Sequence, residues 1–291
     1  MEDNMENRIA TSKALLAIFL PILVLDIAQG MASLIYLIPI SEVISPVLYA
    51  ICYVVLAYWG VKLLSVKVIK LSLQECRIDK PHIEIKWLTC AIVLPIAVMT
   101  ILLCTPGEFV HNDSKATHAI GIIITAVFVY GIGPGIVEEI IFRGLIMKAL
   151  EKRWGKRVAI LIPSIIFGLL HAIGANLHLM DLLMLFVGGT SVGIMFSLIV
   201  YKSGSVWNSA IVHGIWNIIM IGNIFHVGTS YNKDSIFSYK LLSHSFLLTG
   251  GAFGVEVSIV AILGYLSVIA LIQYSMKKKQ RINEQLDRTV H

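Results

Sequence analysis

The stretch AIGIIITAVFVYGIGPGIVEEIIFRGLIM, residues 119–147, places two adjacent glutamates and an arginine inside a long apolar run. No charge occurs from 119 to 137, which alone approaches the roughly 20 apolar residues that a helix needs to cross a bilayer core. Each ionisable group at mid-span costs about 2.5–3.5 kcal/mol, so Glu138, Glu139 and Arg143 are functional candidates from the outset. Residues four apart on a helix differ by only about 40° around its axis, which lets Glu139 and Arg143 pair on one face while Glu138 aims elsewhere. Pro134 within GIGPG predicts a break in this span, with Glu138 near the start of the helix that follows. There the helix dipole favours the carboxylate and burial opposes it, and the sequence leaves that balance open.

The rest of the chain has the same character. Of its 291 residues 57% are hydrophobic and 14% charged, and its mean hydropathy is +0.83. That composition excludes an ordinary soluble domain and defines an all-α, polytopic membrane helix bundle. About eight transmembrane helices are expected, near 14–40, 42–65, 87–104, 118–147, 157–176, 179–201, 205–225 and 250–275, in a single membrane domain over 1–291. The first apolar stretch is too long for a cleaved signal peptide and reads as a retained anchor. Basic residues alternate between loops as the positive-inside rule requires: Lys67, Lys70, Arg77, Lys80 and Lys86 in one, Lys152, Arg153, Lys156 and Arg157 in another, and Lys277, Lys278, Lys279 and Arg281 in a basic tail over 276–291. Only Lys115, Lys233 and Lys240 fall in the loops between. Both termini are therefore expected to be cytoplasmic.

The formal charge of +5 sits at span ends and not in one patch, which argues for membrane orientation and against nucleic acid. Cys52, Cys76, Cys90 and Cys104 show no CxxC spacing and imply neither a disulfide framework nor a zinc finger. Residues 66–86 are amphipathic and predict an interfacial helix, and 226–249 predict a loop on the other side.

Two further polar groups interrupt apolar spans: His171 in FGLLHA (167–172), and His213 with Asn217 in VHGIWN (212–217). His213 and Asn217 share a helix face, as do Phe167 and His171. Counted from the expected cytoplasmic ends at about 1.5 Å per residue, Glu138, His171 and His213 lie about 13–21 Å deep and can meet near the midplane. A carboxylate, two imidazoles and an amide in one cavity supply what peptide hydrolysis needs: a base for water, a proton donor for the leaving amine and donors for the oxyanion. In that scheme Glu138 activates water with help from His171, while His213 and Asn217 face the oxyanion. The same Glu138, His171 and His213 also make a two-histidine, one-carboxylate zinc set, and without an HExxH motif the sequence leaves metal dependence undecided.

Three motifs in order, EExxxR at Glu138, Glu139 and Arg143, FxxxH at Phe167 and His171, and HxxxN at His213 and Asn217, resemble those of the CPBP intramembrane proteases. That family includes the Ras-converting CAAX prenyl endopeptidase and the bacterial Abi or bacteriocin self-immunity proteins. The resemblance covers about 134–220 and implies a catalytic core there, catalysis by Glu138, His171, His213 and Asn217, and support of the site by Glu139 and Arg143. It implies an endopeptidase acting on a membrane-associated protein or peptide in the bilayer. Its members are described both as metalloproteases and as glutamate-type proteases; the reading preferred here is glutamate-activated water with no obligatory metal, Zn2+ being the alternative. The chain's compactness is that of the bacterial branch and a bacterial cell membrane, and oligomeric state is not specified.

Competing readings are a transporter or proton relay, which predicts inverted repeats that the sequence does not display, and a non-catalytic immunity or scaffold protein that works by binding. Residues assigned to packing are Phe167, Asp26, Asp181 with His178, and Asn223; Gly188, Gly189, Ser191 and Gly193 are assigned to close helix approach.

Overall fold

The computed structural model describes residues 8–112 and 116–290; Lys115 lies outside them. Eight long helices occupy the positions expected of the spans: α1 Thr11–Leu37, α2 Ile44–Ile69, α3 Ile85–Leu103, α4 Ala116–Trp154, α5 Lys156–Leu170, α6 Leu179–Ser203, α7 Val206–Met220 and α8 Ile259–Val290. Six of them, α1 to α4, α6 and α8, are long and apolar enough to cross a membrane. The other two, α5 and α7, have 15 residues each. They span about 22 Å, less than the ~30 Å hydrocarbon core, so the described residues give six helices of membrane-spanning length where eight spans were expected.

α4 is not broken at GIGPG. It runs through as one helix of 39 residues that changes pitch, with π-helical stretches at Ala126–Ile132 and Glu139–Ile146 on either side of the α-turns at Gly133–Glu138. Pro134 has no N–H to give the carbonyl four residues back, that of Tyr130. The Asn217 side-chain amide, from α7, donates to that carbonyl at 3.0 Å. A neighbouring helix thus makes up for the missing donor, as membrane bundles allow, and Glu138 lies inside a continuous helix and not at a helix start.

The same crossing explains the glycines. A Cβ on Gly135 would meet the Ala210 and Gly214 backbones at 3.0 Å, so α4 and α7 touch nearly backbone to backbone. α5 and α6 do likewise. Gly168 opposes Gly189 and Ser164 opposes Gly193, a constant index sum that marks an antiparallel pair. Gly189 and Gly193 of α6 thus serve the close helix approach expected of them, while Gly188 faces Val257 in the turn before α8.

The amphipathic segment after α2 is not a helix. Lys70 at φ 66° and Arg77 at φ 59° turn the chain, and Leu71, Cys76 and Ile78 bury their side chains from an irregular backbone. Lys152 pairs with Glu75 at 2.6 Å and Arg77 with Glu151 at 2.9 Å, tying this segment to the end of α4. The Lys152 ammonium and the Ser72 backbone N–H hold the Glu75 carboxyl down at about 2. Beyond α7, the expected loop contains β2 Phe225–Gly228 and β3 Phe237–Leu241, which form with β1 Gly107–His111 a sheet of order β1-β3-β2. β3 pairs antiparallel with β1 and parallel with β2.

A Cβ on Gly189 would come within 2.6 Å of the Gly168 Cα, whereas one on Gly30 would meet nothing within 4 Å. Gly189→Val is therefore expected to cost about 1–3 kcal/mol of stability by overpacking. Gly30→Ala should be neutral or stabilise by up to about 1 kcal/mol. Unfolding midpoints in detergent would check this, and equal midpoints would refute the packing account.

Candidate active site

The second π-helical stretch of α4 begins at Glu139, the residue on which the site converges. Its side chain has no exposed surface, and Oε1 accepts from Arg143 Nη1 at 3.0 Å. The same oxygen lies 3.1 Å from His213 Nδ1, and Oε2 accepts from the Ser209 hydroxyl. Ser209 and His213 are one turn apart on α7, so a single face of that helix supplies both contacts.

Arg143 is equally enclosed. Its guanidinium lies 4.3 Å from the Phe167 ring centroid, 5.1 Å from that of Phe196 and 5.7 Å from that of Phe142, and Nη2 donates to the Gly193 carbonyl at 3.4 Å. This aromatic box stabilises a desolvated cation through the ring faces. Phe167, expected as core packing, also meets the His171 ring at 4.8 Å and the His213 ring edge-on at 5.8 Å. The Phe196 ring stacks on His213 at 4.8 Å.

Glu138, one residue before, points into a different space, as the helix geometry required. It retains 17% side-chain exposure, and its Oε2 is buried without a hydrogen-bond partner, 3.9 Å from His213 Nε2. His171 follows the last turn of α5, where its Nδ1 lies 2.7 Å from the Phe167 carbonyl oxygen. That bond makes Nδ1 the donor and leaves Nε2 as the nitrogen it presents.

Two cavities meet at this point. One of about 460 Å³ is lined by Asp26, Gln29, Glu138, Phe142 and His171 among others; the second, of about 100 Å³, is lined by His171, His213, Asn217 and Glu256. His171 and Phe167 line both. All four residues expected to be catalytic therefore gather around two adjoining cavities, with one qualification: one of the two amide hydrogens of Asn217 is taken by Tyr130.

The candidate zinc set does not assemble. Among the described residues no group of three or more His, Cys, Asp or Glu side chains is placed to hold a metal ion. Glu138 approaches only His213 among its proposed co-ligands, at 3.9 Å through Nε2.

Sequence reasoning missed Ser209, the contact of Glu139 with His213, and the cavity positions of Asp26, Gln29 and Glu256. Ser209 carried a signal, since it precedes His213 by four residues on one face. Asp26 was visible as an intramembrane acid and assigned to packing, but it lines the Glu138 cavity. Asp181 does have a structural role: Oδ2 accepts from the His178 N–H at 3.0 Å at the start of α6, and Oδ1 from the Ala252 N–H at 2.8 Å.

Compared with known families, residues 120–219 match the model of Type II CAAX prenyl endopeptidase Rce1-like proteins. This segment reaches from the start of α4 to the end of α7 and contains every residue of the three motifs. The matched segment is 100 of the 291 residues and is similar to a family of CAAX-type peptidases; the six apolar helices among the described residues describe a multi-pass integral membrane protein. No curated protein matches the chain.

Breaking a buried ion pair by removing one partner costs about 3–5 kcal/mol. Glu139→Ala and Arg143→Ala are therefore expected to lower folded yield sharply, and Glu138→Gln to leave it near wild type. Size-exclusion recovery from detergent measures this; equal yields for all three would refute the division between support and chemistry.

Proposed function

We propose that the chain is an intramembrane endopeptidase that hydrolyses a peptide bond of a membrane-associated protein or peptide with water activated by Glu138. The observation that carries this reading is the Glu138 Oε2 atom, buried, without a hydrogen-bond partner, and 3.9 Å from His213 Nε2. An unpaired carboxylate oxygen is costly unless something polar is to meet it, and a gap of that length is one that a water or a substrate oxygen can bridge.

In the proposed reaction Glu138 takes a proton from water as its oxygen attacks the scissile carbonyl carbon. The charge that develops on the carbonyl oxygen faces His213 Nε2 and the remaining amide hydrogen of Asn217. With Nδ1 held on Glu139, Nε2 is the atom His213 offers: it donates to the oxyanion when the ring is protonated and accepts when it is not. His171, its Nδ1 held by the Phe167 carbonyl, relays the proton from Glu138 to the leaving nitrogen through Nε2. The C–N bond then breaks, giving a carboxylate and an amine. Glu139 and Arg143 touch no reacting atom in this scheme; they fix the orientation of His213. The cavity of about 460 Å³ beside Glu138 is the substrate approach.

The test compares wild type, Glu138→Gln and His171→Ala, purified in detergent, on a library of membrane peptides, with chelator and metal-restored controls. Glu138→Gln is expected to reduce cleavage at least about a hundredfold while the protein stays folded, the range for loss of a general base. Chelator should leave wild-type cleavage unchanged; loss restored by zinc would replace glutamate-only catalysis by the metal-dependent version. Identical products from all three proteins would refute the enzyme and leave a binding or scaffold role.

A further inference from the structure

Glu256 takes no part in the reaction above, yet it lines the same 100 Å³ cavity as His171, His213 and Asn217. It comes from a 3-10 turn, Val255–Val257, just before α8. Several contacts hold that turn. The Tyr265 hydroxyl donates to the Glu256 carbonyl oxygen at 2.9 Å, and the Tyr265 ring packs on Trp216 with centroids 5.0 Å apart. Gly254 takes φ 123°, which an L side chain rarely adopts, and Asp181 fastens the approach to the turn through the Ala252 N–H.

The carboxyl itself has little to meet. It receives its own backbone N–H, and among the described residues no lysine or arginine lines the cavity. The other walls are apolar or bare: Phe196, Trp216, Gly188, Gly189 and Val257. Burial pushes the Glu256 carboxyl up to about 7. A half-buried acid that lines an apolar cavity without a cation is poorly compensated, and a cation supplied by a ligand meets it. Size narrows the ligand further. A cavity of about 100 Å³ suits one side chain and excludes a long lipid tail.

We propose that this cavity is a specificity subsite for a substrate residue with an aliphatic stem and a cationic tip, lysine or arginine, whose charge is received by Glu256. The proposal rests on the protease reading of the adjoining site. The stem packs against Trp216 and Val257. The scissile bond then lies beside His171, where the two cavities meet.

The experiment uses membrane peptides that differ only in lysine, norleucine or glutamine at positions flanking the cleaved bond, with wild type, Glu256→Gln and Glu256→Leu. Wild type should cleave the lysine peptide at least tenfold better in kcat/KM than the norleucine peptide at one position, and Glu256→Leu should bring that ratio to one or below. A lysine-to-norleucine ratio near one in wild type, a ratio that Glu256→Leu leaves within twofold, or a preference for glutamine would each overturn the proposal. Should a Glu256 variant not fold, the wild-type ranking of the three peptides decides. Binding of the same peptides to the Glu138→Gln protein, read by fluorescence polarisation, separates this proposal from the protease reading. Lysine-selective binding without any cleavage by wild type would uphold the subsite and refute the enzyme; equal binding of all peptides would refute the subsite alone.

Discussion

A carboxylate and a guanidinium that have no exposed surface, 3.0 Å apart on one turn of a helix, constrain everything around them. Such a pair repays its desolvation only when each remaining hydrogen-bonding site is also met. Glu139 meets that demand with His213 and Ser209 from α7; Arg143 meets it in part, with the Gly193 carbonyl from α6 and three aromatic rings, its Nε being left without a partner. Three helices are thereby fixed against one another by a single charge pair. His213 cannot turn its ring without giving up Glu139, and so its second nitrogen is kept facing Glu138.

Close backbone approach is what brings these partners within reach. Serine has too short a side chain to bridge a normal helix spacing, and Ser209 reaches Glu139 because Gly135 and Gly214 let α4 and α7 come together beside it. The same economy holds at Gly168 and Gly189, which bring the Phe167 and Phe196 helices together around the guanidinium. Small residues and polar residues therefore act as one device: the first set the distance and the second use it.

Much of this was legible in the sequence because its physics is local. Charges in an apolar run are conspicuous, and i, i+4 spacing assigned Glu139 to Arg143 and aligned His213 with Asn217 before any fold was known. What the sequence did not disclose depends on neighbours distant along the chain. Pro134 read as a break because the donor that replaces its N–H belongs to Asn217, 83 residues later. Residues 66–86 read as an interfacial helix because their amphipathic pattern does not reveal that Lys70 and Arg77 adopt left-handed backbone angles. The three-stranded sheet was hidden because its central strand, β3, pairs with β1, more than a hundred residues earlier. Glu256 lay at the edge of an expected span, and only the folding of its turn under α6 gives it a cavity to face.

The shortness of α5 has a consequence for the surrounding lipid. Unlike α7, which is largely enclosed by other helices, α5 exposes Leu161, Ile162 and Leu169 on its outer face. A helix of about 22 Å set across a hydrocarbon thickness of about 30 Å would create a hydrophobic mismatch of several ångströms on one flank of the molecule. Lipids there must shorten or tilt to keep their chains in register with the protein, at a cost of fractions of a kcal/mol per ångström. With α5 set across a bilayer, the headgroup region would be drawn inward on that flank, next to His171, which ends this helix. Water would then have less hydrocarbon to cross at α5 than elsewhere around the bundle.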